Sequence, residues 1–506
     1  MIVSSISLLA TAGACLVLYI TVSRLSRWRR LNHIPGPPGA GWSRLWLLVH
    51  LASGKLPNKF QEICRKYGPL VRIAPNWVVC SDPNEIRRIW GIRSGYHRGT
   101  WYRSIRLSPD EENIFTILGN KDHHRLRAQL LPGYGGKSLV EEEERVNEQI
   151  VRLVALLEQK YLSSETSLQP CNLARTMQYL TQDIITAVGF GKPAGYLNVD
   201  QDMFGLIKAS ETVLLPAHII TIFPLLGRIM ASPLLRSFLP KPTDEQGVGR
   251  FLGFVRGHVD SRYEEDGLRR SDILQTFVDS GMRRSQVESE ALVMLFGGTD
   301  TTATALRNII FYLSTNPRAY QTLQAEIDAA VGSVDRPVIS DVQAKSLPFL
   351  QACIKEGLRL WPPSIGMMGK VSDQDDTICG IRVPAQTQIG WAATVIMKDR
   401  RVFGENAAVF EPTRWLKAEP ERLKEMESIY GLVFATNTRW ECLGKRLAYI
   451  ELGKVLFELF CRFDFSMVNP VEPFRWMNHG FTVQQDMHAK ITQRASGAGG
   501  LTDKDQ

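Results

Sequence analysis

The stretch Arg439-Trp440-Glu441-Cys442-Leu443-Gly444-Lys445-Arg446-Leu447-Ala448 decides the reading of this chain. Beyond Cys442, apolar residues Leu447, Ile450, Leu452, Leu456, Leu459 and Phe460 recur at helical spacing, so an irregular loop gives way here to a long helix whose face enters a core. A cysteine at a helix N-terminus feels the helix dipole and unpaired amides. Both favour the thiolate, the form that ligates metal. Cys442 is therefore a candidate axial ligand, and Gly444 leaves the backbone open to a flat macrocycle. A lone cysteine is more often a small buried hydrophobe, so the surroundings must decide.

Gly297-Gly298-Thr299-Asp300-Thr301-Thr302 lies inside the apolar run Val287 to Leu313, the pattern of a helix buried through the middle of a domain. Each interior glycine costs about 1 kcal/mol relative to alanine, and close approach of a bulky group would justify that cost. Thr301 is placed to turn its hydroxyl back to the Gly297 carbonyl and loosen the helix into a bulge. Asp300 and Thr301 would then offer a carboxylate and a hydroxyl for proton delivery. Glu356 and Arg359 share one face of a helix from Leu347 to Leu360, ended by Trp361-Pro362-Pro363. Such a pair on a solvated face is common and contributes little. Phe410-Glu411-Pro412-Thr413-Arg414-Trp415 occupies a loop before the cysteine.

In this order the motifs resemble the cytochrome P-450 family of haem-thiolate monooxygenases over nearly the whole chain. The resemblance implies a mainly α fold with small β-sheets and a haem b cofactor (iron protoporphyrin IX) whose iron takes Cys442 as axial ligand. It implies O2 as co-substrate and electrons from NADPH through an NADPH-cytochrome P-450 reductase. It assigns proton management to Asp300 and Thr301, and a buried structural network locking the cysteine loop to Glu356, Arg359 and Arg414. His123 and Arg127, four apart on one helix face, match pairs that donate to a haem propionate. Phe434, Arg439 and Gly444 of the cysteine loop are expected beside the haem. By the same analogy the loop between Ser94 and Lys121, together with Phe296, Ile365, Met367, Met368 and Phe481, lines a pocket for a lipophilic metabolite of terpenoid, polyketide or alkaloid type.

The cysteine loop departs from the family signature. Phe434 lies one residue further from the cysteine than usual, Thr438 takes the place of a glycine, and Arg439 precedes Trp440, which occupies the usual arginine position. Asn437 is a candidate for the left-handed bend that the missing glycine would have made. The Arg-Trp pair before Cys-Leu-Gly-Lys, with Pro132-Gly133-Tyr134-Gly135-Gly136-Lys137 and Gln388-Ile389-Gly390-Trp391, is similar to filamentous-fungal enzymes of secondary metabolism, the pisatin-demethylase-like group among them.

At 506 residues and 44% hydrophobic content, with no repeat or low-complexity tract after the first forty residues, one large catalytic domain over 41–495 is expected, with a flexible tail at 496–506. The eight cysteines form no CxxC pair, which fits a reducing compartment. The net charge of +8 is dispersed, arguing against nucleic acid and for an acidic protein partner or an anionic membrane surface. Ile2 to Val22 is uncharged and long enough to span a bilayer, and Arg24, Arg27, Arg29 and Arg30 follow. This predicts a single transmembrane anchor over 1–23 in the endoplasmic reticulum, with the catalytic domain cytoplasmic. A cleaved signal peptide is the rival, but it lacks a basic n-region. Ile34-Pro35-Gly36-Pro37-Pro38-Gly39 predicts a stiff extended hinge within 24–40. Other functions open on the same fold are a haem-thiolate isomerase, dehydratase or peroxide-using enzyme, against which the Asp300-Thr301 pair argues, and a non-catalytic haem-binding membrane protein.

Overall fold

The computed structural model describes residues 2–103, 106, 111–135, 139–203, 205–230, 232, 234, 239–264 and 270–494, excepting the side chains of 2–12, 16, 17, 20, 139 and 228. The elements that build the site are helices α1 (Ile2–Arg30), α2 (Pro83–Trp90), α3 (Asn120–Tyr134), α4 (Leu173–Phe190), α5 (Leu206–Ile222), α6 (Gly247–Tyr263), α7 (Arg284–Ser314), α8 (Pro348–Leu360) and α9 (Lys445–Arg462). The strands are β1 (Leu70–Ala74), β2 (Trp77–Cys80), β3 (His97–Arg98), β4 (Lys370–Val371), β5 (Asp376–Ile378), β6 (Ile381–Val383) and β7 (Gln388–Trp391).

The apolar run read from Val287 to Leu313 is α7, a 31-residue helix against which α4, α6, α8 and α9 all pack. Two glycines set how closely. A Cβ on Gly298 would come within 2.7 Å of Ile185 in α4, and one on Gly357 of α8 would overlap Ile309 of α7. Small residues here let helix backbones approach and bury the long side chains around them.

Two β-like runs, Leu70-Val71-Arg72-Ile73 and Trp77-Val78-Val79-Cys80, joined by Pro75-Asn76 turn chemistry, predict a hairpin, and it is β1–β2, antiparallel from Leu70 opposite Cys80. It opens a five-stranded sheet of order β1-β2-β7-β4-β3, in which β2 runs parallel to β7, and β5–β6 form a separate two-stranded hairpin. Ser81-Asp82-Pro83-Asn84-Glu85 predicts a helix start from its cap, proline and acidic residues, and Asp82 does cap α2, accepting from the amides of Asn84 and Glu85 with Pro83 in the first turn.

The N-terminal hinge differs from expectation. Helix α1 continues through the basic cluster to Arg30, and residues 31–40 fold into turns with Leu31 and Ile34 buried. The cause is Arg72 on β1. Its guanidinium donates to the carbonyls of Arg27 and Trp28 at 3.0 and 3.1 Å and to those of Gly41 and Pro75, satisfying carbonyls that a helix end leaves open. Among the described residues no helix is long and apolar enough to cross a membrane. Most side chains of the Ile2–Val22 run lie outside the described residues, as does the tail 496–506.

Candidate active site

Cys442 does not start a helix. Gly444 is the N-cap of α9, and the cysteine sits just ahead of it with its amide donating to the Phe434 carbonyl at 2.9 Å, which closes the loop. The bend that glycine would have made is divided between two residues, Ala435 at φ 50° and Asn437 at φ 58°. Asn437 fits the sequence reading; Ala435 does not, and a non-glycine residue in that conformation costs about 1–2 kcal/mol. Thr438 offsets this by donating its hydroxyl to the Ala435 carbonyl at 2.7 Å and accepting from the Trp440 amide at 3.1 Å. Burial pushes the Cys442 thiol up, while the amides of Gly444 and Lys445 and the guanidinium of Arg127 pull it down. Deeply set as it is, Cys442 keeps an exposed surface, so it borders an interior space.

Gly297 does the same from α7. It is exposed in the middle of a core helix, and a Cβ there would meet nothing within 4 Å, as is also true at Gly444. Thr301 donates to the Gly297 carbonyl at 2.6 Å on this open face. The helix nevertheless remains α throughout, without the expected bulge. Asp300 turns the other way, towards α4, where Gln178 Nε2 donates to its Oδ1 at 2.7 Å. Successive residues on a helix diverge by about 100°, so carboxylate and hydroxyl cannot share one face directly. Burial raises the Asp300 carboxyl above its usual range, against the pull of Gln178 and Arg307.

In the network of Glu356, Arg359 and Arg414, Glu356 and Arg359 are at 0% exposure and Arg414 is half-buried at its edge. Glu356 accepts from Arg359 at 2.7 and 2.9 Å, from Arg414 Nε at 2.9 Å, from the Glu411 amide at 3.0 Å and from Trp415 Nε1 at 2.9 Å. Arg359 spends its other donors on the carbonyls of Met397 and Ala407. Trp415 carries the network onward: its ring packs edge-on to Tyr430, whose hydroxyl meets that of Tyr449 on α9 at 2.6 Å, and Tyr449 packs on Phe434. The link from the triad to the cysteine loop thus runs through Tyr430 and Tyr449, which the sequence did not single out.

His123 and Arg127 lie on α3, whose Arg127 reaches the cysteine loop. Arg127 Nη1 donates to the Glu441 carbonyl at 2.5 Å, immediately before the cysteine. His123 is buried, and burial together with Arg98, Arg127, Lys370 and Arg439 holds it far below its usual range, so it is neutral. Arg439 turns outward to the Ile92 and Ser94 carbonyls, while Trp440 lies under the Lys370 ammonium at 3.9 Å.

Arg98 and Lys370 were not read from the sequence as site residues. Both are buried, and they stand directly opposite each other across β3 and β4, an arrangement of like charges that destabilises a strand pair. Among the described residues Arg98 Nε has no hydrogen-bond partner and Lys370 Nζ donates only to the Tyr102 hydroxyl, at 2.7 Å. Burial lowers both below their usual ranges. No carboxylate pairs with Arg98, Arg127, Lys370 or Arg439 among the described residues. The buried Arg98 and Lys370, with the half-buried Arg127 beside the thiol, offer the unpaired cations that two propionate carboxylates need, and the open faces at Gly297 and Gly444 suit a flat ring, so the residues fit a haem.

Of the apolar pocket residues, Ile365 and Met367 are buried, Met368 is half-buried at φ 41°, and a bridge from Ser364 to Phe481 joins that loop to the C-terminal segment. Phe296 stands apart, edge-on to Phe251 of α6. Part of the Ser94–Lys121 loop lies outside the described residues.

The family profile described as Cytochrome P450 matches residues 35–488. The chain belongs to the cytochrome P450 family. It is 38% identical over 492 residues to the cytochrome P450 monooxygenase ABA1 of Pyricularia oryzae, covering 95% of this chain and 96% of that protein. It is 33% identical over 479 residues to the monooxygenase aba1 of Botryotinia fuckeliana, covering 92% of each. A third relative, abl1 of Leptosphaeria maculans, is 33% identical, covering 93% of this chain and 84% of that protein. The resemblance to filamentous-fungal members is upheld by these relatives. Membership brings haem, dioxygen and electrons from a redox partner as the family's equipment.

Proposed function

We propose that this cytochrome P450 is a monooxygenase that inserts one oxygen atom from O2 into a lipophilic small molecule of terpenoid, polyketide or alkaloid type in secondary-metabolite biosynthesis. The electrons come from NADPH through NADPH-cytochrome P450 reductase. The observation that carries this reading is the joint placement of the Cys442 thiol, the carboxylate-free cation cluster and the open Gly297–Thr301 face of α7. Haem, when bound, supplies the activation of dioxygen.

The chain's own residues do the rest. Cys442, whose amide is held by the Phe434 carbonyl, would hold the haem iron through its sulfur. Arg98, His123, Arg127 and Lys370 would receive its propionates, while Arg439 fixes the adjoining loop. Thr301 keeps its hydroxyl at the open face by donating to Gly297, and Asp300, raised by burial and one residue away, is the group that would relay protons to it by turning from Gln178. Ile365, Met367, Met368 and Phe481 form the apolar wall, and water exclusion there favours an uncharged substrate.

Segment 1–23 serves as the membrane anchor and 24–40 as a docked connector, setting the domain of 41–495 on the cytoplasmic face of the endoplasmic reticulum. Turnover of candidate lipophilic metabolites by the anchored protein with reductase and NADPH under isotopically labelled dioxygen tests the function. One labelled oxygen in the product is expected. Conversion that needs neither NADPH nor O2 would instead identify an isomerase, dehydratase or peroxide-using enzyme.

A further inference from the structure

Asp300 is held by a chain of hydrogen bonds that reaches α5. Gln178 of α4 is buried; its Nε2 donates to Asp300 Oδ1 at 2.7 Å, and its Oε1 accepts from Arg175 Nη1 at 3.1 Å. Because a guanidinium only donates, the amide oxygen must face Arg175 and the amide NH2 must face Asp300. Arg175, one turn earlier on α4, is fixed in turn by Glu211 of α5 through two hydrogen bonds at 2.7 and 3.3 Å, and Glu211 also accepts from Gln485 Nε2 at 2.7 Å. Packing alone does not aim the carboxyl, which borders a cavity of about 20 Å³ shared with Gln182, Ser210, Thr299 and Phe296. Its direction is set by Gln178.

Helix α5 also meets the apolar wall. His218 lies about two turns beyond Glu211 on the same face and packs against Trp101 and Phe481 at ring separations of 6.0 and 6.3 Å. Its Nδ1 is spent within α5 on the Leu214 carbonyl, and its Nε2 has no hydrogen-bond partner among the described residues. His218 therefore rests on the wall through ring contacts, which a bulky occupant can displace. We propose that Gln178 is a positioning residue: latched by Arg175 and Glu211, it keeps Asp300 turned from Thr301 while α5 is seated, and a molecule entering between α5 and Phe481 moves α5, parts Glu211 from Arg175 and lets Asp300 turn. Resting on the oxygen-inserting reading of the site, this latch withholds proton supply until the pocket is filled.

The test uses the full-length haem-bound protein with reductase and without substrate. Crystal structures should show the Asp300 carboxyl on Gln178 in the wild type and swung towards Thr301 in Gln178→Leu. NADPH oxidation should rise at least about fivefold in Gln178→Leu and in Glu211→Gln, and no further in the double variant, since both act on one path. Gly480→Ala, whose Cβ would overlap His218, should raise it likewise, and adding Asp300→Asn should cancel every rise. Asp300 unmoved in Gln178→Leu, additive effects, or a rise that survives Asp300→Asn would overturn the proposal. Glu211→Gln, at a half-buried position, decides by the same two readouts where Gln178→Leu fails to fold. A wild type that never couples NADPH to O2 would sink oxygen insertion, whereas the crystal comparison still decides the latch.

Discussion

Replacing Glu356 by glutamine should uncouple folding from haem retention. The carboxylate sits at 0% exposure and accepts five hydrogen bonds, two from Arg359 and one each from Arg414, Trp415 and the Glu411 amide. Glutamine preserves volume and one acceptor, but it removes the charge that balances two buried guanidiniums and points an amide donor at one of them. Leaving a buried ion pair broken costs about 3–5 kcal/mol, a large fraction of the 5–15 kcal/mol typical of a domain. The loss falls on the path through Trp415, Tyr430 and Tyr449 to Phe434, so the cysteine loop should loosen first. If even half of this energy is felt at that loop, haem should leave on the order of tenfold to a hundredfold faster. The assay is transfer of haem to excess apomyoglobin, followed beside far-ultraviolet circular dichroism. Haem loss within twofold of wild type in a folded variant would refute the argument that the triad secures the loop.

Three further outcomes follow from the geometry. Thr301→Ala and Asp300→Asn should each lower product formation by about 10²-fold while NADPH consumption continues and peroxide accumulates; unchanged coupling in both would remove them from proton delivery. Lys370→Met, which relieves like-charge crowding opposite Arg98, should stabilise the haem-free protein yet weaken haem binding about tenfold or more; a variant that binds haem as tightly as wild type would exclude a propionate role. Glu290, buried on α7 and accepting from the Ile114 amide at 2.8 Å, has a carboxyl that burial pushes up to about 8. An acid raised in the folded state stabilises fully below its unfolded value and loses that contribution as pH rises towards the folded one. Stability should therefore fall between about pH 4.5 and 8 by up to roughly 5 kcal/mol, and Glu290→Gln should flatten that slope in urea melts. An unchanged slope in the variant would assign the dependence elsewhere.

Features carried by local spacing were legible in the sequence. The β1–β2 hairpin, the Asp82-Pro83 cap, the long α7 and the one-face pairing of Glu356 with Arg359 all follow from short-range periodicity and turn chemistry. The family resemblance supplied Arg414, which no local rule would have joined to that pair. Arg98 and Lys370 escaped because an isolated cation in sequence is by default solvated, and their burial arises only when β3 and β4, distant in the chain, pair. The two glycines of α7 looked alike in sequence but serve differently, Gly298 admitting α4 and Gly297 opening a face. Asp300 was read as a partner of Thr301 across a loosened helix; an intact helix sends it instead to Gln178. The proline-dense hinge was read as extended because nothing local announced that Arg72 would gather its carbonyls.

The central claim is that Cys442 is the thiolate ligand of a haem. The most direct measurement is the carbon monoxide difference spectrum of the dithionite-reduced protein, wild type beside Cys442→Ala. A strongly red-shifted Soret band in the wild type that is lost in the variant is predicted. A haem-loaded, folded wild type without that band, or a variant that retains it, would contradict the assignment.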